Sequence, residues 1–113
     1  MTSFKALARD ALPKRLQVPV KYWFGFARGE LEPEMALLPM LVARGDHAID
    51  IGGNRGAYAY RLATLGARVS VFEPNPICLA VLEPWAQAKS AITIHPVALS
   101  EDTGMAELAI PID

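Results

Sequence analysis

Asp50-Ile51-Gly52-Gly53-Asn54-Arg55-Gly56 is the stretch whose reading decides the fold. It follows a short apolar run, ends that run in an acid, breaks into glycines and opens what reads as a helix. Such a junction brings bare backbone N–H groups and a helix N-terminus up to a ligand. Glu73 waits about one βαβ unit downstream. That arrangement suits a nucleotide-like ligand.

Outward from the loop the pattern alternates strand and helix. Residues 47–51 read as a first strand, and Tyr58, Leu62 and Leu65 give residues 55–66 an apolar helical face. Arg-Val-Ser-Val-Phe at 68–72 is a second strand. Asn75 is a good N-cap and Pro76 a good first helical residue. Ile77, Val81, Leu82 and Trp85 line one face of that helix, while Pro84 predicts a kink or early stop. Residues 91–98 form a third strand, Ser100 to Gly104 a polar turn, and 105–110 a short further strand. This succession predicts an α/β fold with right-handed crossovers and a doubly wound parallel sheet covered on both faces.

Before residue 47 the chain is different. Phe4, Leu7, Ala8, Ala11 and Leu12 predict an amphipathic helix over 3–12, and Pro13 and Pro19 punctuate the stretch after it. Tyr22, Trp23, Phe24 and Phe26 cluster before Gly29. Glu30, Glu32 and Glu34 around Pro33 mark a helix start, with Pro39 expected to kink that helix and Gly45 to cap it. Residues 1–28 hold six basic residues and one acid, a net +5, whereas 29–113 hold five basic and eleven acidic residues, a net −6. The contrast divides the chain into a basic, aromatic extension at 1–30 and a single domain at 31–113.

Composition excludes several classes. With 52% apolar and 20% charged residues the chain is globular rather than disordered. Cys78 is the only cysteine, so no internal disulfide forms. Neither a signal peptide nor a membrane span is legible, which makes the cytoplasm the expected compartment. No cluster has metal-ligand spacing, and no basic-aromatic stripe points to nucleic acid.

The dinucleotide fingerprint G-x-G-x-x-G fits poorly, because counting from Gly52 puts Asn54 and Ala57 at the later glycines. Asp50 ahead of the loop is awkward for a pyrophosphate. It suits a ligand with an ammonium and a sulfonium, such as S-adenosylmethionine. Asp50, Gly52, Gly53, Asn54 and Gly56 would then hold the methionine part, Glu73 the ribose, and the backbone of Val97 and Ala98 the adenine. The bland alternative is that the glycines only make a tight turn.

Asp50 through Tyr58 resembles the D-x-G-x-N-x-G-x-Y start of the FkbM family of class I S-adenosylmethionine-dependent methyltransferases. Val71-Phe72-Glu73-Pro74-Asn75-Pro76 is similar to that family's second-strand motif, and Val97-Ala98-Leu99-Ser100 with Gly104 to its third-strand segment. Glu32-Pro33-Glu34 through Gly45 resembles the lead-in helix of bacterial members. The resemblance implies a Rossmann-like sheet of the methyltransferase type, here truncated after about three strands. It implies S-adenosylmethionine as cofactor and O-methylation of a sugar, polyketide or related metabolite. By that likeness Asp50, Gly52, Asn54, Gly56 and Glu73 line the cofactor site. The family's fourth strand, of the K-I-D-x-E-G type, has no counterpart, so the chain reads as the cofactor-binding N-terminal half.

No catalytic residue is legible. His95 and His47 read as structural and surface residues, Tyr58 and the aromatic cluster as packing, Cys78 as core, and the basic segment as a solvated face. Two rivals stand beside the methyltransferase reading. One is a nicotinamide-dependent oxidoreductase half-domain. The other is a non-catalytic remnant or interaction module, which self-associates or needs a complementing C-terminal half because its first strand is left as an open edge.

Overall fold

A computed structural model describes residues 11–101 and 103–105. Within them the chain is an open α/β sheet of three parallel strands, β1 (His47–Ile51), β2 (Arg68–Phe72) and β3 (Ile92–His95), in the order β1-β2-β3. The register runs His47 opposite Arg68 to Ile51 opposite Phe72, then Val69 opposite Ile92 to Phe72 opposite His95. A 3-10 turn, Lys14–Leu16, leads into α1 (Gln17–Ala27), and a second, Pro33–Leu37, leads into the single turn α2 (Leu38–Leu41). The crossover helices are α3 (Ala57–Thr64) and α4 (Pro76–Ala86). The helix expected over 3–12, but for its last two residues, and the strand expected over 105–110, but for Met105, lie outside the described residues.

Val69 and Val71, alternate residues of β2, point into a core with Ala59 and Leu62 of α3, Leu82 and Trp85 of α4, Ile92 of β3 and Val18 of α1. The period-two alternation of the strand and the 3.6-residue period of the helices meet there. Gly56 lets α1 and α4 approach. Its φ of 92° is left-handed, and a Cβ on it would lie 3.0 Å from both Val18 Cγ1 and Leu82 Cδ2.

The expected cover on both faces of the sheet is not found among the described residues. Strands laid down in sequential order through right-handed crossovers place both helices on one side. A sheet gains helices on its second face only after the strand order reverses. The other face presents His47, Ile49, Ile51, Ser70 and Phe72. Ile49 is 59% and Ile51 66% exposed. On that face His47 Nε2 meets Ser70 Oγ at 2.8 Å, and His95 stacks on Phe72 with ring centroids 4.5 Å apart. Ile51→Ser is accordingly expected to change stability by less than about 0.5 kcal/mol in urea unfolding. A much larger loss would mean that this face is covered in solution.

Five other expectations shift, each through proline or glycine. Pro19 does not punctuate, because it falls in the first turn of α1, where its missing N–H costs nothing. The aromatic cluster is therefore helical. Pro39 does not kink a long helix but starts the short turn α2, with Leu37 as its N-cap. Gly45 caps no helix. It turns the chain into β1, with φ 88° and its N–H on Gly66 O at 2.9 Å. β3 stops at His95 rather than 98, since Pro96 has no N–H to donate to the ladder and Val97 N–H turns back to His95 O. α4 runs past Pro84 and ends two residues later.

Candidate functional site

The loop 52–56 joins the C-terminal end of β1 to α3, the end of a parallel sheet where ligands bind. Three of its residues reverse the chain with left-handed backbones, Gly52 (φ 72°), Asn54 (φ 52°) and Gly56. Gly53 is wedged against β2, so that a Cβ there would overlap Val71 Cγ1. The bare N–H groups expected of the loop are largely spent within the protein. Gly52 and Gly53 both donate to Phe72 O, and Asn54 N–H donates to Glu73 Oε1 at 2.7 Å. The donors that remain are Arg55 N–H and those of the first turn of α3, which has no side-chain cap.

Glu73 is only 7% exposed. Its second oxygen accepts Asn75 N–H at 2.9 Å, so the carboxylate clamps the glycine loop to the start of α4. Asn75 Oδ1 in turn caps that helix by accepting Ile77 N–H, the role its sequence position predicts. Cys78 Sγ reaches Asn54 Oδ1 at 3.4 Å and closes the same junction.

Asp50 is half-buried at the end of β1, on the helix-covered face. Its Oδ2 is inaccessible and has no hydrogen-bond partner, and it lies near Gly53. Burial first and Glu73 second push its carboxyl above the usual carboxylate range. Two carboxylates thus back the loop, and Asp50 keeps one buried oxygen without a partner.

Beside the loop lies a cavity of about 640 Å³, within the usual size of a small-molecule site. Lys21 and Phe24 of α1 form one wall, Gly52 to Arg55 another, and Asn75, Ile77 and Cys78 its floor. The wall is strapped across by Tyr58, whose hydroxyl donates to Glu32 Oε2 at 2.7 Å. That bond, with lesser help from burial and from Glu34 and Asp50, pushes the Tyr58 hydroxyl up to about 12. Tyr22 packs at 4.9 Å on Tyr60, and Trp23 Nε1 donates to the Tyr60 hydroxyl at 2.9 Å, fixing α1 against α3.

Of the residues read from sequence, Asp50, Gly52, Gly53, Asn54 and Glu73 come together at one junction. Gly52, Gly53 and Asn54 line the cavity, whereas Gly56 is buried under Val18 and Leu82. Val97 and Ala98 follow β3 and are not among the residues lining the cavity. Lys21, Glu32 and Asn75 were not expected at the site. Asn75 stood in the motif after Glu73, but nothing local could place α1 or the Glu32 segment over the loop. Among the described residues no group of three or more His, Cys, Asp or Glu could hold a metal ion, and no helix is long and apolar enough to cross a membrane.

No family model matches the sequence, and no curated protein matches it. Among solved structures it is similar to the crystal structure of a candidate RNA methyltransferase from Pyrococcus horikoshii, at 18% identity and a TM-score of 0.47. The likeness covers 80% of this chain and 39% of that one. It is too loose to bear on the site or the chemistry.

Proposed function

We propose that the chain binds S-adenosylmethionine at the glycine loop and is the cofactor-binding part of an FkbM-type O-methyltransferase. The observation that carries this reading is Asp50, a carboxylate whose inner oxygen is buried without a partner beside a second carboxylate. Its negative charge, held uncompensated behind the glycine loop, costs stability and favours a cationic ligand group on the other side of that loop. The cofactor's ammonium supplies such a charge without reaching the closed-off oxygen. The nicotinamide reading fits less well, because Asn54 and Ala57 stand where its fingerprint needs glycines.

The remaining residues fit with one change of role. Glu73 braces the loop rather than meeting a ribose, since it is buried and each of its oxygens already accepts a backbone N–H. Asn75 lines the cavity and spends only its carbonyl oxygen on the α4 cap, leaving its amide N–H groups for a ligand hydroxyl. When bound, S-adenosylmethionine supplies a methyl group activated by its sulfonium. The chain's task is to orient it, with Asp50 and the first turn of α3 at one end and the cavity walls excluding water. The acceptor class that accompanies the resemblance is a hydroxyl of a sugar, polyketide or related metabolite, whose proton a base must take.

Calorimetric titration with S-adenosylhomocysteine tests the reading through Asp50→Asn. The variant is expected to bind about tenfold or more weakly, through loss of that charge. It is also expected to be at least as stable as the parent. The raised Asp50 carboxyl means that the folded state holds the proton more tightly than the unfolded one. This group's contribution therefore falls as pH rises from 3.8 through its folded value, and the ionised form is the costly one. Retained stability with lost binding supports the reading, and unchanged binding overturns the role of Asp50.

A further inference from the structure

The lining of the cavity carries charge opposite to that of Asp50 behind the loop. Lys21 reaches it from α1 and Arg55 from the loop, on facing walls. Two acids also line it, but both are engaged: Glu30 by Arg28 at 3.0 Å and Glu32 by the Tyr58 hydroxyl. Arg55 is half-buried, and among the described residues it makes no hydrogen bond or ion pair. Both cations act on one group of the cavity floor. Burial and Glu73 raise the Cys78 thiol, and Arg55 and Lys21 are the charges that oppose them. A planar guanidinium facing a cavity with no protein acceptor is built for a bidentate anion, and a nearby ammonium adds a point charge.

We propose that Arg55 and Lys21 form an anion subsite in this cavity, which takes a carboxylate or phosphate group of the bound ligand. The proposal deepens the methyltransferase reading and rests on it for the identity of the ligand. The anionic group belongs either to the cofactor's own amino-acid end or to the methyl acceptor. Asp50 and this pair then give the site a negative and a positive pole, which selects a ligand by orientation as well as by size.

Three probes separate these sources: S-adenosylhomocysteine, which carries an ammonium and a carboxylate; 5′-methylthioadenosine, which carries neither; and inorganic phosphate. Each is titrated calorimetrically at constant ionic strength into the parent chain and into Arg55→Gln, Lys21→Gln and Arg55→Lys. If the carboxylate is the cofactor's, Arg55→Gln weakens S-adenosylhomocysteine about tenfold and leaves 5′-methylthioadenosine unchanged. If the group is the acceptor's, S-adenosylhomocysteine is unaffected, and phosphate binds the parent chain saturably but not the Gln variants. Arg55→Lys restores part of the loss in either case, because it keeps the charge and loses the fork. Binding of all three probes unchanged in both Gln variants overturns the subsite while leaving the cofactor reading intact. Phosphate binding that depends on Arg55, with no adenosyl ligand bound, overturns the cofactor reading and keeps the subsite. A folded chain that binds none of the probes overturns both.

Discussion

Gly53→Ala is expected to destabilise the chain by about 3 kcal/mol, the upper end of the usual cost of overpacking. The added methyl would overlap Val71 Cγ1, and Val71 has nowhere to go. It is fully buried near the C-terminal end of β2 and surrounded by the core that Leu82 and Ala59 complete. As a β-branched residue in a strand it has few alternative rotamers. Moving the loop instead would stretch the bonds from Gly52 N–H to Phe72 O and from Asn54 N–H to Glu73. Urea unfolding measures the loss, and Val71→Ala in the same chain should recover part of it, because the two sites share one contact. A Gly53→Ala chain within about 0.5 kcal/mol of the parent would contradict the packing of the loop against β2.

Glu73→Ala is the second large effect, and it separates two accounts of one residue. A ribose-binding carboxylate facing solvent would be dispensable for folding. The carboxylate seen here accepts two backbone N–H groups, from Asn54 and Asn75, in a place with little water. Its removal strands both donors at roughly 1–3 kcal/mol each. Part of that loss is returned, since Asp50 is relieved of a like charge. A net loss of about 2–3 kcal/mol is therefore expected. Glu73→Gln keeps one acceptor and should fall between the parent and the alanine variant. Thermal unfolding of the three chains without ligand checks the order. An alanine variant as stable as the parent would show that the clamp is not made.

The contrast over Glu73 marks where sequence reading stops. An acid at the end of the second strand was legible, and so was its place beside the loop. That its oxygens turn inward depends on the left-handed Asn54 and on the extended Asn75, which together aim two N–H groups at one point. β1 and β2 were legible to the residue because glycine turns and apolar runs bound them, and Asn75-Pro76 announced the start of α4. The position of α1 was not. Pro19 looked like a break until its place in the first turn made it a helix former, and only the packing of Val18 and Tyr22 brings Lys21 to the cavity. The bare sheet face was equally hidden. Residue alternation in β1 distinguishes two faces, but strand order decides which of them receives helices.

The measurement that bears most directly on the central proposal is a titration of the isotopically labelled chain with S-adenosylhomocysteine, followed through its backbone amide resonances. The account predicts saturable shifts centred on Gly52 to Tyr58 and on Asn75 to Cys78, with little change at Thr93 and Ile94 on the far edge of the sheet. Shifts confined to that far edge, or none at saturating ligand in a chain that remains folded, would contradict the assignment of the glycine loop as a cofactor site.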